Sequence, residues 1–102
     1  RDDRIERYRL DAHTRLLATR HNAPYSDAEF KYIIVNTFEV EKKDVQVLYK
    51  IALNLSRTLG AVEWIWNYIW ADNITDILRE GIDNVMWERI QKLKDEVFKP
   101  NC

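Results

Sequence analysis

The sequence predicts an all-α fold, a compact bundle of five to six short helices, and three observations predict it. Apolar residues recur at spacings of three and four along most of the chain, the pattern of one helical face. Serine and aspartate stand where such stretches open, and glycine and proline where they close. Only two glycines and two prolines occur in 102 residues, which leaves little room for linkers and makes the joints short. The alternative is a small α+β domain with strands near 32–40 and 62–70, where β-branched and aromatic residues concentrate.

The first helix is expected between Asp2 and His21. Ile5, Tyr8, Ala12 and Leu16 fall on one face and are its expected core stripe. Asp3 precedes Arg7 by four and Asp11 precedes Arg15 by four, the orientation that suits a helix. Pro24 disfavours helical geometry at Ala23, so the helix ends near Asn22. Ser26 and Glu29 then form a capping box for a second helix through Phe30, Ile33, Ile34 and Phe38. Asp44 caps a third helix, in which Leu48, Ile51, Ala52, Leu55 and Leu59 make a stripe that Gly60 stops.

Residues 61–71 follow, with three of the four tryptophans, and Asp72 or Asn73 closes them. Beyond, Ile77, Leu78, Ile82 and Val85 define one face, and Met86, Ile90, Leu93 and Val97 another, rotated by roughly a quarter turn at about 100° per residue. A short helix to about Glu80 and a second from Asp83 to about Phe98, parted at Gly81, explain that rotation, and Pro100 ends the second.

Length and composition suit one helical domain, residues 1–102. The chain opens at Arg1 without methionine, as a processed product or a domain cut from a longer chain does. The formal net charge of −1, from 16 basic and 17 acidic side chains, gives no general field for a polyanion, so nucleic acid is disfavoured as a partner. No apolar run reaches the roughly eighteen residues of a membrane span. Cys102 is the only cysteine and forms no internal disulfide, which is compatible with a reducing compartment and favours an intracellular location.

No constellation for chemistry emerges, and neither an enzyme activity, a cofactor nor a metal is expected. His13 and His21 lie more than two helical turns apart, with no cysteine beside either, so solvated histidines are the reading. Asp72, Asp76, Glu80 and Asp83 lack the spacing and glycine of a calcium loop and serve as caps and a solvated face. Ser26 and Ser56 have capping or surface roles and no nucleophile elbow surrounds them. The sequons at Asn54 and Asn73 matter only in a secretory protein. Arg1, Arg4, Arg7, Arg9, Arg15 and Arg20 crowd the first helix, and Arg4, Arg7 and Arg15 share a face. Asp2, Asp3, Glu6 and Asp11 interleave with them, which reads as a salt-bridged surface rather than a nucleic-acid footprint.

The aromatic run carries the functional expectation. On a helix, Trp66 and Trp70 stack on one face and Trp64 and Tyr68 on another, with Asn67 and Glu63 marking the only polar edge. A core of this size has difficulty enclosing three indoles, each of which brings roughly 150–250 Å² and a ring N–H that needs an acceptor. One face is expected to pack on the stripe from Leu48 to Leu59, and the other to meet a protein partner or a second copy. The candidate partner-binding residues are Trp64, Trp66, Tyr68, Trp70 and, just off the Met86–Ile90 stripe, Trp87. The function expected is therefore a non-catalytic interaction or oligomerisation module. A small helical DNA-binding regulator is the more distant alternative.

Lys43-Asp44-Val45 through Ile51-Ala52 and Asn54, followed by Trp64 to Trp70, resembles the helical C-terminal domain of M1-type zinc aminopeptidases. There an Asp-Val, Ile-Ala-x-Asn, then tryptophan-rich helix order is common. The resemblance spans residues 43–70, lacks the glycine expected after the asparagine, and includes none of that family's zinc or substrate motifs. It implies a non-catalytic auxiliary domain of a larger enzyme.

Overall fold

The computed structural model describes residues 2–20, 23–40, 44–71 and 84–99. They form five helices: α1 (Asp2–Leu17), α2 (Asp27–Thr37), α3 (Val45–Leu55), α4 (Leu59–Ile69) and α5 (Asn84–Phe98). Among the described residues there is no strand, so the all-α class holds and the α+β alternative falls. The expected helix up to Glu80, the break at Gly81, the cap at Asp83, the acidic group Asp72, Asp76, Glu80 and Asp83, the Asn73 sequon, His21, Pro100 and Cys102 lie outside the described residues.

The chain divides into two compact units interleaved in sequence. One is drawn from Arg1–Pro24 and Val40–Ile65, the other from Tyr25–Glu39 and Trp66–Cys102, so the division falls within α4.

In the first unit α1 packs on α3. Asp44 caps α3 as expected, its carboxylate accepting from the Gln46 amide at 2.7 Å, and Leu48, Ile51 and Ala52 are buried. Helix α3 does not run on to Gly60. It stops at Leu55 because Ser56 turns left-handed (φ 57°), and Leu59 and Gly60 instead open α4. Leu59, Val62 and Ile65 are then fully buried from α4, each such side chain contributing about 1.5–3 kcal/mol.

The hydroxyl of Thr14 joins two of these elements. It donates to the Asp11 carbonyl at 2.9 Å and accepts the Leu59 amide at 3.0 Å, so a buried threonine of α1 satisfies the first turn of α4. Helix α1 ends at Leu17, four residues earlier than periodicity suggests, because the Thr19 and Arg20 amides both turn to the Ser56 carbonyl, at 3.0 and 3.1 Å. Arg57, only 4% exposed, closes the loop that follows, donating to the carbonyls of Arg20, Ala23 and Pro24.

In the second unit α2 packs on α5. The capping box at Ser26 is formed in both directions, at 3.1 and 2.9 Å. With its start fixed, the β-branched run of α2 stays helical because Phe30, Ile33, Ile34 and Thr37 then share one buried side. From α5, Ile90 and Leu93 are buried while Val85 is exposed, so the stripe through Met86, Ile90, Leu93 and Val97 is the packed one. Arg89 grips the start of α2, with Asp27 at 2.6 Å, the Tyr25 carbonyl at 3.0 Å and the Phe30 ring beneath its guanidinium. Lys31 and Glu96 pair at 2.9 Å on the surface.

Candidate interaction surface

The tryptophan-rich segment does not turn its aromatics outward together. Trp66 and Tyr68 are 5% and 3% exposed, so both leave the partner-binding set. The Trp70 indole is half-buried and engaged. Its N–H donates to the Thr37 hydroxyl at 2.7 Å, its ring lies 6.4 Å from that of Phe98, and the Lys94 ammonium sits 4.6 Å over it. Partial burial lowers the Lys94 pKa, a fall only partly opposed by Asp95. Trp87 is half-buried with its ring 6.3 Å from Tyr68. In the second unit Trp70 and Tyr68 thus meet side chains of α2 and α5, where a stripe on α3 was expected to receive one face of the run.

Trp64, in the first unit, is 44% exposed and stands alone in that respect among the tryptophans described. Neither of the two expected faces is open as a whole: Trp64 is open but Tyr68 is buried, and Trp66 is buried with Trp70 half-buried.

An aligned apolar surface lies on α1. Ile5, Tyr8 and Leu16 are 67%, 72% and 83% exposed, and Ala12 between them is exposed too. This is the stripe expected to face the core. The core side of α1 is the opposite one, where Thr14 is buried and Leu10, Asp11 and Ala18 are partly so. Helix α1 is therefore held through a buried hydroxyl and a few aliphatic contacts, and its most apolar side faces outward.

Beside that stripe runs a groove of about 430 Å³, lined by Arg4, Arg7, Tyr8, Asp11 and Arg15 of α1 and by Gly60 of α4. Arg7 pairs with Glu63 of α4, and Arg15 with Asp11 at 3.2 Å. Arg4 makes no ion pair among the described residues. Among the described side chains, three guanidinium groups thus meet two paired carboxylates. The expected shared face of Arg4, Arg7 and Arg15 is real; of the interleaved acids Asp11 pairs with Arg15, and Arg7 is met instead by Glu63 of α4. Gly60 forms an open wall, since a Cβ built there meets nothing within 4 Å.

No protein-family model, curated protein or solved structure matches this chain.

The remaining candidates are scattered. His13 shares a 2.8 Å hydrogen bond with the Tyr49 hydroxyl on the surface of the first unit. Ser26 is a cap and Ser56 a left-handed helix end. Among the described residues no group of three His, Cys, Asp or Glu side chains has the arrangement to hold a metal ion, and no helix is long and apolar enough to cross a membrane.

Proposed function

We propose that this chain is a non-catalytic helical interaction module whose contact face is the outer stripe of α1, in place of the tryptophan-rich helix that composition first singles out. One observation carries the reading: Ile5, Tyr8, Ala12 and Leu16 align over three turns of a helix and all face outward. Single exposed apolar residues are ordinary on a folded protein, but an aligned set beside a polar rim is the form of a contact surface. The ordered helix beneath gives that surface a fixed shape, so binding costs little conformational entropy.

Paired urea melts of Ile5→Gln and Leu16→Gln, each run at low and high protein concentration, test this. Glutamine keeps the helix propensity and removes the apolar contact. Both variants are expected to lie within about 0.5 kcal/mol of the parent, the range of surface substitutions. A loss of 2 kcal/mol or more that is independent of concentration means the chain itself covers this face, and the reading fails.

A further inference from the structure

Resting on the interaction reading above, we infer that the partner is an acidic amphipathic helix, which lays apolar anchors on the α1 stripe and sets a carboxylate into the arginine groove. Three features of the first unit point to it. The stripe and the groove are continuous, because Tyr8 belongs to both. Among the described side chains the groove has one guanidinium more than Asp11 and the neighbouring Glu63 pair with, and Arg4 is that one. The stripe from Ile5 to Leu16 rises about 16 Å along the helix axis at 1.5 Å per residue, which matches three turns of a partner helix packed ridge into groove.

Charge selects the occupant. A second copy docked through the same face would carry its own arginine flank into the contact, since an isologous interface uses one patch on both sides. A polyanion such as duplex DNA would meet Asp11 and Glu63 as well as the arginines, and would leave the apolar stripe uncovered. A helix with leucines at positions i, i+4, i+7 and i+11 and glutamates along one flank satisfies both halves of the surface. Its carboxylate would take the planar, two-pronged contact that a guanidinium offers.

The test is fluorescence anisotropy with the full chain and a fluorescein-labelled, hydrocarbon-stapled peptide of that pattern, alongside its glutamine-for-glutamate twin. The acidic peptide is expected to bind at least about tenfold more tightly than the twin, the usual scale of one charge-assisted contact. Arg4→Gln should remove that tenfold preference, and Arg9→Gln, on the other flank of the stripe, should change binding less than about twofold. Gly60→Leu, whose Cβ has open space around it, puts a side chain into the groove and should also abolish the preference. Leu16→Gln should weaken both peptides.

Equal binding of the two peptides, both weakened by Leu16→Gln, overturns the groove's role while the interaction reading stands. Displacement of the acidic peptide by short duplex DNA or inorganic phosphate, with indifference to Leu16→Gln, overturns the inference in favour of a plain anion site. Competition between peptide binding and self-association of the chain makes a second copy the occupant and overturns it as well. Absence of binding by either peptide also overturns it, and the urea melts of Ile5→Gln and Leu16→Gln then decide the interaction reading separately.

Discussion

Replacing Thr37 with valine tests whether Trp70 is held as part of the interior. Thr37 is 2% exposed, and its hydroxyl accepts the Trp70 indole N–H at 2.7 Å while donating to the Ile33 carbonyl at 2.7 Å. Valine keeps nearly the same volume, so the change falls on the hydrogen bonds. The Ile33 carbonyl sits within the helix ladder and loses only a second partner, but the indole N–H loses its acceptor. An unsatisfied buried donor costs about 1–3 kcal/mol, and the half-burial of Trp70 lets water offset part of that, which leaves ~1–2 kcal/mol. The assay is a double-mutant cycle by urea denaturation with Thr37→Val, Trp70→Phe and the pair. Phenylalanine removes the N–H and keeps an aromatic against Phe98 and Lys94. A coupling energy near 1 kcal/mol is expected. Coupling below about 0.3 kcal/mol, the level of independent sites, would falsify the assignment and return the Trp70 ring to the set of candidate contacts.

Three further outcomes follow from the backbone ties of the first unit, each read by chemical denaturation. Thr14→Val strips the acceptor from the buried Leu59 amide and should cost about 1–3 kcal/mol, whereas Thr14→Ser retains the bond and should lose only about one methyl's worth of packing. Arg57→Met leaves three loop carbonyls without their charged donor; a loss of about 2–4 kcal/mol is expected, with faster amide exchange at Ala23, and an unchanged Ala23 exchange rate would show that the clamp does not order this loop. Ser56→Gly relieves the left-handed backbone at the end of α3 and should stabilise by roughly 0.5–1 kcal/mol, an effect that neutral or negative data would contradict.

Where a side chain acts on its own neighbours, the sequence was a sufficient guide. The capping box of Ser26 and Glu29 and the cap at Asp44 depend on residues two or three positions apart, and both are formed. The Met86, Ile90, Leu93 and Val97 stripe is the packed side of α5 for a related reason, as it is the helix's one aligned apolar set. The joints were harder to read. Gly60 looked like the end of α3 because glycine most often takes the left-handed position, but here Ser56 takes it and Arg57 donates to a loop 33 to 37 positions earlier in the chain. Helix α1 stops short because a carbonyl of Ser56 claims two of its following amides, a competition that local periodicity does not contain.

The same distinction explains the exchange of roles between α1 and α4. Periodicity identifies which residues share a face, and says nothing of whether that face has somewhere to go. The aromatic run looked too large to bury, yet Thr37 supplies the acceptor that the Trp70 indole requires, and Phe98 and Lys94 flank its ring. Helix α1 looked like an ordinary amphipathic helix whose apolar side faces inward. Its inward side is instead the one that carries Thr14, because the hydroxyl there satisfies the first amide of α4, a demand that an aliphatic side chain in that position would leave unmet. Choosing that side turns Ile5, Tyr8, Ala12 and Leu16 outward together and sets Arg4, Arg7 and Arg15 along their edge. The hydrogen bond between Thr14 and Leu59 thus goes together with the outward turn of that side of α1.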